Sequence, residues 1–195
     1  MQSADDVSDG RRVRSIRSRQ LIVDALLDLI GSGNMMPTTN EIAEKSGVSQ
    51  RTVFRHIDDM ETLYRDMSDR IEAQVRPAFL RPLEADDWRG KLDEVVGQRA
   101  EIYEYIMPLK VAAGIQRFRS PFLMEDYKRF LIFERTQIKS ILPKDILRDS
   151  ALFAALELAL SFQTWRRLRQ DQGLKPAASK RTMRLMLTAL LTDAG

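Results

Sequence analysis

Guanidinium groups dominate the chemistry available near the start of this 195-residue chain. Arg11, Arg12, Arg14, Arg17 and Arg19 lie close together, and a second polar group, Gln50, Arg51, Thr52, Arg55 and His56, follows them. Planar guanidinium forks match phosphate oxygens, and arginine, glutamine and threonine can hydrogen-bond to base edges. A run of like charges is also what a solvated helix start looks like, so charge alone raises nucleic acid without deciding it. Composition closes off other chemistries. Cysteine is absent and His56 is the single histidine. Disulfides, thiolate metal sites and multi-histidine metal centres are therefore excluded, and a Ser-His-Asp triad would have to use His56. Asp86, Asp87, Glu101 and Glu104 form no recognisable acid–base pair. The expectation is a protein without metal, cofactor or catalytic residues.

The net charge of +3 is unevenly spread. Residues 1–10 hold Asp5, Asp6 and Asp9 and no base. Residues 11–57 hold the five arginines plus Lys45, Arg51 and Arg55, against Asp24, Asp28, Glu41 and Glu44. The rest of the chain is nearly neutral. At 44% apolar and 30% charged the composition is globular. No apolar run reaches membrane-spanning length and the first ten residues have no signal-peptide pattern, so the expected location is the cytoplasm, with no membrane partner.

The elements that must position these groups all read as helices. Apolar residues recur at helical spacing from Val13 to Ile30, and Gly31 and Gly33 close that segment. Thr38 and Glu41 have the spacing of a capping box for a short helix to Lys45, and Gly47 breaks it. Ser49 caps a second short helix, Gln50 to His56, and Asp58 or Asp59 caps a third from Met60 to about Val75. Longer helices follow over 88–106, 109–119, 122–142, 147–172 and 177–192, with Pro108, Pro121 and Pro143 read as stops. The fold expected is all-α, with about nine helices.

Thr38 to Ile57 has the layout of a helix-turn-helix. Ala43 is small where a second helix must cross, Gly47 sits in the turn, and Ile42, Val48 and Val53 can meet beneath the crossing. An ordinary helical hairpin would need similar packing but not so many hydrogen-bond donors on its second helix. On these residues the stretch Arg19–Leu63 resembles the DNA-binding domain of the TetR (tetracycline-repressor) family. The matching residues are Thr38, Glu41–Ala43, Ser46–Ser49, Thr52–Ile57 and Glu61–Leu63. Two positions depart from the family pattern: Phe54 stands where tyrosine is usual and Met60 where lysine is usual. Both usual residues touch the DNA backbone, so their loss weakens binding without changing which sequence is read. The arginines around the first helix are candidates to compensate.

The resemblance implies an acidic disordered tail over 1–10, a DNA-binding head over 11–59 and a ligand-binding and dimerisation domain over 60–195. It puts the Gln50–His56 helix in the major groove of a palindromic operator in double-stranded DNA. Gln50 and Arg51 are then the base-edge candidates, Arg55 a base or phosphate contact, and Thr38, Ser49, Thr52 and His56 phosphate contacts. Phe54 either touches a thymine methyl or packs within the head.

In the body, the resemblance makes Tyr103, Met107, Phe118, Phe130 and Phe162 candidates to line a pocket for a small hydrophobic or aromatic effector. Aromatic and methionine residues at helical spacing more often serve a plain helical core. Ala151, Ala154, Ala155, Ala159 and Ser161 suit either a homodimer interface or internal packing, and Arg166–Arg169 reads as solvated surface. The implied function is a transcriptional regulator, a repressor whose operator affinity the effector lowers. The alternatives are a DNA-binding dimer without a small-molecule effector, or an all-α enzyme or interaction module.

Overall fold

The computed structural model describes residues 4–192, with side chains from Arg12 onward. Ten α-helices and no strand occur among the described residues. They are α1 (Ala4–Gly31), α2 (Thr39–Ser46), α3 (Gln50–Ile57), α4 (Met60–Phe79) and α5 (Trp88–Gln116), then α6 (Pro121–Ile141), α7 (Lys144–Arg148), α8 (Ser150–Ala159), α9 (Phe162–Arg166) and α10 (Pro176–Thr192). A π-helical turn over Arg167–Asp171 continues α9. No helix is long and apolar enough to cross a membrane among these residues.

Four boundaries differ from the sequence expectation, among them the end of α4, which runs through Pro77 to Phe79 rather than stopping near Val75. The first helix begins at Ala4 rather than Val13, so residues 4–10 of the segment expected to be a disordered tail are helical, while residues 1–3 lie outside the described residues. Pro108 does not end a helix, because α5 runs through it. A proline there costs one backbone hydrogen bond, but Ile102, Ile106, Leu109 and Ala112 are buried on both sides of it at helical spacing.

The helix expected over 147–172 is divided into α7, α8, α9 and the π turn. Ser161 caps α9 by accepting from the Thr164 N–H at 3.2 Å. The Arg166–Arg169 run is only partly solvated: Leu168 is buried, and Arg169 grips Glu104 with Nε at 2.7 Å and Nη2 at 3.0 Å.

The chain forms two compact units, residues 1–73 with 108–126, and residues 74–107 with 127–195. The chain passes between them within α4, α5 and α6. In the first unit, Ile22, Val23, Leu26 and Ile30 of α1 share a core with Ile42 and Ala43 of α2 and Val53 of α3. Leu63 and Met67 of α4 and Leu109 and Ala112 of α5 complete it. The Glu61 carboxylate accepts from the Phe122 N–H at 3.1 Å, and the Arg65 guanidinium lies 4.6 Å from the Phe122 ring centre, fixing the start of α6 to α4.

The second unit is organised about a buried arginine. Arg99 has no exposed surface; it donates to the Leu160 carbonyl at 2.8 Å, the Glu134 carbonyl at 2.7 Å and the Gln137 amide oxygen at 3.2 Å. The Tyr103 hydroxyl donates to the Glu134 carboxylate, which also accepts from the Phe162 N–H at 3.2 Å. Burial, with the Glu134 charge adding to it, pushes the Tyr103 hydroxyl well above the ordinary tyrosine range and keeps it a donor. This network explains the break after α8: Leu160 and Phe162 hand backbone groups to side chains from α5 and α6. Arg99→Met leaves the Glu134 carbonyl and the Gln137 amide oxygen without their buried donor. The expected loss is roughly 1–3 kcal/mol for each group left unpaired, read as a lowered urea midpoint.

Candidate nucleic-acid interface

Each end of the two short helices is held by a local device. The Thr38 side chain accepts from the Glu41 N–H at 3.3 Å, while the Thr38 N–H and hydroxyl both donate to the Glu41 carboxylate at 2.7 Å. These bonds hold the Glu41 carboxyl below its ordinary value, the backbone bond from Thr38 contributing most. Gly47 ends α2 with φ of 67°, a left-handed conformation in which its N–H reaches the Ala43 carbonyl at 3.0 Å. Ser49 then opens α3, its hydroxyl oxygen 3.3 Å from the Thr52 N–H and 3.0 Å from the Thr52 hydroxyl. The hydroxyls of Thr38 and Ser49 are thus occupied as caps.

The two faces of α3 differ sharply. Val53 has no exposed surface and Ile57 packs against the same core, while Gln50, Arg51, Phe54 and Arg55 are exposed. Phe54, 58% exposed, does not pack within the head, which removes one of its two expected roles. Thr52 and His56 are half-buried at the edges of the face. The Gln50 amide donates to the Asn40 side chain, and the Asn40 amide donates to Glu44 at 3.0 Å, tying the start of α3 to α2. Asn40 is not among the residues expected from sequence. Its bond crosses a turn between helices and follows no helical period, so spacing carries no signal for it.

His56 is held below its ordinary value near 6.5, first by burial and then by the charges of Arg55 and Arg19, with Asp59 opposing. Its Nε2 is buried without a hydrogen-bond partner. At neutral pH the ring carries no charge, so any phosphate contact from it would be a hydrogen bond rather than an ion pair.

The side chains of Arg12, Arg14 and Arg17 are exposed on α1. Arg19 instead meets Asp66 at 2.8 Å, tying α1 to α4. Arg70 with Asp24 makes a second α1–α4 tie, and Lys45 with Asp28, at 3.2 Å, joins α2 to α1. These exposed pairs set orientation more than stability. Met60 is half-buried against the core of the first unit.

The five expected pocket residues are not gathered in one place. Tyr103 and Phe162 are buried edge-to-face at 5.6 Å in the second unit, within the Arg99 network. Phe130 meets Phe79 edge-on at 6.4 Å in that unit, and Met107 there is half-buried. Phe118 belongs to the first unit and is 75% exposed. Three of the acids that could have served catalysis have structural partners. Glu104 holds Arg169 and Trp165, Glu101 pairs with Arg81 at 3.2 Å, and Asp87 accepts from the Arg89 and Gly90 N–H groups. Among the described residues no three His, Asp or Glu side chains are grouped to hold a metal ion.

Thr38→Ala and Ser49→Ala each remove a cap and should cost about 1 kcal/mol. Gly47→Ala should cost roughly 1–2 kcal/mol from backbone conformation alone, because a Cβ there meets no neighbouring atom. Urea unfolding checks all three. His56 gives a pH dependence of known sign. The unfolded chain takes up a proton near pH 6.5 and the folded chain only below that. Stability conferred by the neutral ring is therefore full above that range and falls on acidification towards the lowered folded value. Urea midpoints at pH 7.5 and 5.5 should separate more for the native chain than for His56→Gln.

No model of a known protein family matches the sequence. No curated protein is similar to it either. A solved structure is similar: the crystal structure of a transcriptional regulator from Rhodococcus sp. Rha1, with a TM-score of 0.62 and 14% sequence identity. The match covers 92% of this chain and 96% of that one, so the two share an all-helical fold over nearly their whole length.

Proposed function

We propose that the chain is a DNA-binding transcriptional regulator whose α2–turn–α3 segment is a helix-turn-helix of the TetR type, with α3 as the recognition helix. The observation that carries this reading is the face of α3. Gln50, Arg51, Phe54 and Arg55 are all exposed on a helix whose opposite side is anchored by a fully buried Val53. Exposed arginines are ordinary on the outer face of a helix; here they stand beside an exposed aromatic ring and a glutamine on a helix of only eight residues. Arg51 and Gln50 are assigned to base edges, Arg55 to a base or phosphate, and Phe54 to a thymine methyl. Thr38, Ser49, Thr52 and His56 sit beside the phosphates, Thr38 and Ser49 chiefly through the backbone N–H groups at the helix starts they cap. Arg12, Arg14 and Arg17 add a sequence-independent phosphate contact in place of the hydroxyl and ammonium that Phe54 and Met60 do not supply. The fold shared with a Rhodococcus regulator supports the assignment, and a non-enzymatic role is part of it.

A regulator of this type acts as a homodimer, since two recognition helices must reach major-groove faces about 34 Å apart on a palindromic site. The second unit has a surface suited to a second copy. On the packed pair α8 and α10, Leu158 and Leu185 are 64% and 68% exposed, with Ala151, Ala154, Ala178 and Ala189 exposed beside them. Ala159, by contrast, is buried within the unit. A small apolar effector that lowers operator affinity completes the reading, in which the protein represses until the effector arrives.

The test is a mobility-shift titration against the DNA flanking the gene, at two salt concentrations. Arg51→Ala with Arg55→Ala should abolish specific shifting, at a cost of about 1–3 kcal/mol for each base that is no longer read. Replacing Arg12, Arg14 and Arg17 with glutamine should weaken all sequences alike and flatten the salt dependence by about one unit of slope for each phosphate no longer neutralised. Failure of the native chain to shift any of that DNA specifically would count against the regulator reading.

A further inference from the structure

The first unit contains a cavity of about 560 Å3, within the size range of small-molecule sites. It lies among α1, α2, the end of α3 at Ile57, α4, α5, α6 and the segment Met35–Thr38 that leads into α2. None of Tyr103, Met107, Phe118, Phe130 and Phe162 lines it. Its walls are chiefly aliphatic, and four of the chain's nine methionines, Met35, Met36, Met60 and Met67, are among them. Unbranched, polarizable methionine side chains re-pack around ligands of different outline. The cavity opens to solvent, where Met36 in its wall is 67% exposed, so a ligand has a route into it.

Besides Thr38, Thr39, Tyr64 and Gln116, the lining holds one cluster of charged groups. Ser68 donates to Asp126 at 2.8 Å, and the Lys110 ammonium lies 3.4 Å from the other oxygen of the same carboxylate. The two charges are mostly shielded, with 19% and 21% of their side chains exposed, and they are opposite in sign. The lining therefore offers hydrogen-bond donors and acceptors but no net charge. A charged head group brought there would lose hydration and find its counter-charge already paired. An uncharged head, a hydroxyl, amide or ester, could bond to this group without that penalty.

We infer that this cavity is the binding site for an uncharged amphiphile, an elongated apolar molecule with one hydrogen-bonding end seated at Ser68, Lys110 and Asp126. This deepens the proposed function by locating the effector in the first unit, and its consequence for DNA rests on that reading. Met35, Met36, Pro37, Thr38 and Thr39 supply part of the wall, and Thr38 is the cap of α2. A ligand there touches the residues that set where α2 begins.

The experiment uses the full chain labelled with 13C-methyl methionine, titrated with 1-decanol, decanoate and decylamine below their aggregation limits. Decanol is expected to shift the methyl signals of Met35, Met36, Met60 and Met67 by saturable binding, leaving Met183 and Met186 in place. Decanoate and decylamine should bind at least tenfold more weakly. Ala113→Phe, which puts a ring into the cavity, should abolish the shifts, and Lys110→Met should weaken decanol while leaving the chain folded. Shifts centred on Met107, Met183 or Met186, tighter binding of either charged probe, or undiminished binding by a folded Ala113→Phe chain would overturn the proposal. DNA binding by the same samples separates the two readings. Specific DNA shifting without methionine shifts removes the cavity assignment alone, and methionine shifts without DNA shifting remove the regulator reading alone.

Discussion

An eight-residue helix is not stable alone in water, so α3 exists only where its neighbours hold it. That constraint governs the candidate interface. Val53 anchors α3 to the shared core, and the Ser49 side chain accepts from the Thr52 N–H at its start. Anchoring one residue also fixes the rotation of the whole helix. Two positions either side of Val53, Arg51 and Arg55 fall on the far side of the helix because each residue advances about 100°. Ile57, one turn beyond Val53, returns to the core. The outward set of donors is therefore a geometric consequence of where one valine is buried.

The same dependence runs backwards through the unit. Val53 is buried because α2 crosses it, and α2 crosses there because Gly47 turns the chain sharply while Thr38 and Glu41 fix its beginning. The turn can be tight because Gly47 adopts a conformation that side chains resist. α1 supplies the floor with Ile22, Val23, Leu26 and Ile30, and Arg19–Asp66 with Lys45–Asp28 sets its orientation against α4 and α2. Residues 108–126, distant in sequence, close the unit through Leu109 and Ala112. The division at residue 59 follows the family resemblance; the compact units also place the first part of α4 and the segment 108–126 with α3.

This difference shows what was legible in the sequence. The caps at Thr38 and Ser49, the turn at Gly47 and the phase of α3 are local, each set by residues within four positions, and their spacing announced them. Pro108 and the 147–172 segment were not legible for the opposite reason. Whether a proline ends a helix depends on what is buried either side of it. Whether α8 continues past Ala159 depends on Arg99, some sixty positions earlier, claiming the Leu160 carbonyl. The aromatic stripe misled similarly: aromatic residues at helical spacing mark a core, and Tyr103 with Phe162 is core, but spacing does not say where packing is incomplete. The methionines of the first unit, scattered from Met35 to Met67, had no periodic signature.

The two units differ in what fills them, and this bears on what each can do. In the second, Arg99, Tyr103, Glu134 and Gln137 form a network in which each buried polar group has a partner. Such a network resists rearrangement, because displacing one member leaves others desolvated and unpaired. In the first, the space beside α2 is bounded by aliphatic and methionine side chains, which lose little by shifting. On the proposed reading, a rigid unit suits a pairing surface that must keep one shape. A deformable wall beside the α2 cap suits a sensor whose ligand has to move a helix start. Binding energy released among soft side chains can drive that displacement only if the displaced element is itself lightly held. The body of α2 is held by Ile42 and Ala43 in the core and by Lys45–Asp28, so the element open to such displacement is its capped start at Thr38 rather than the whole helix.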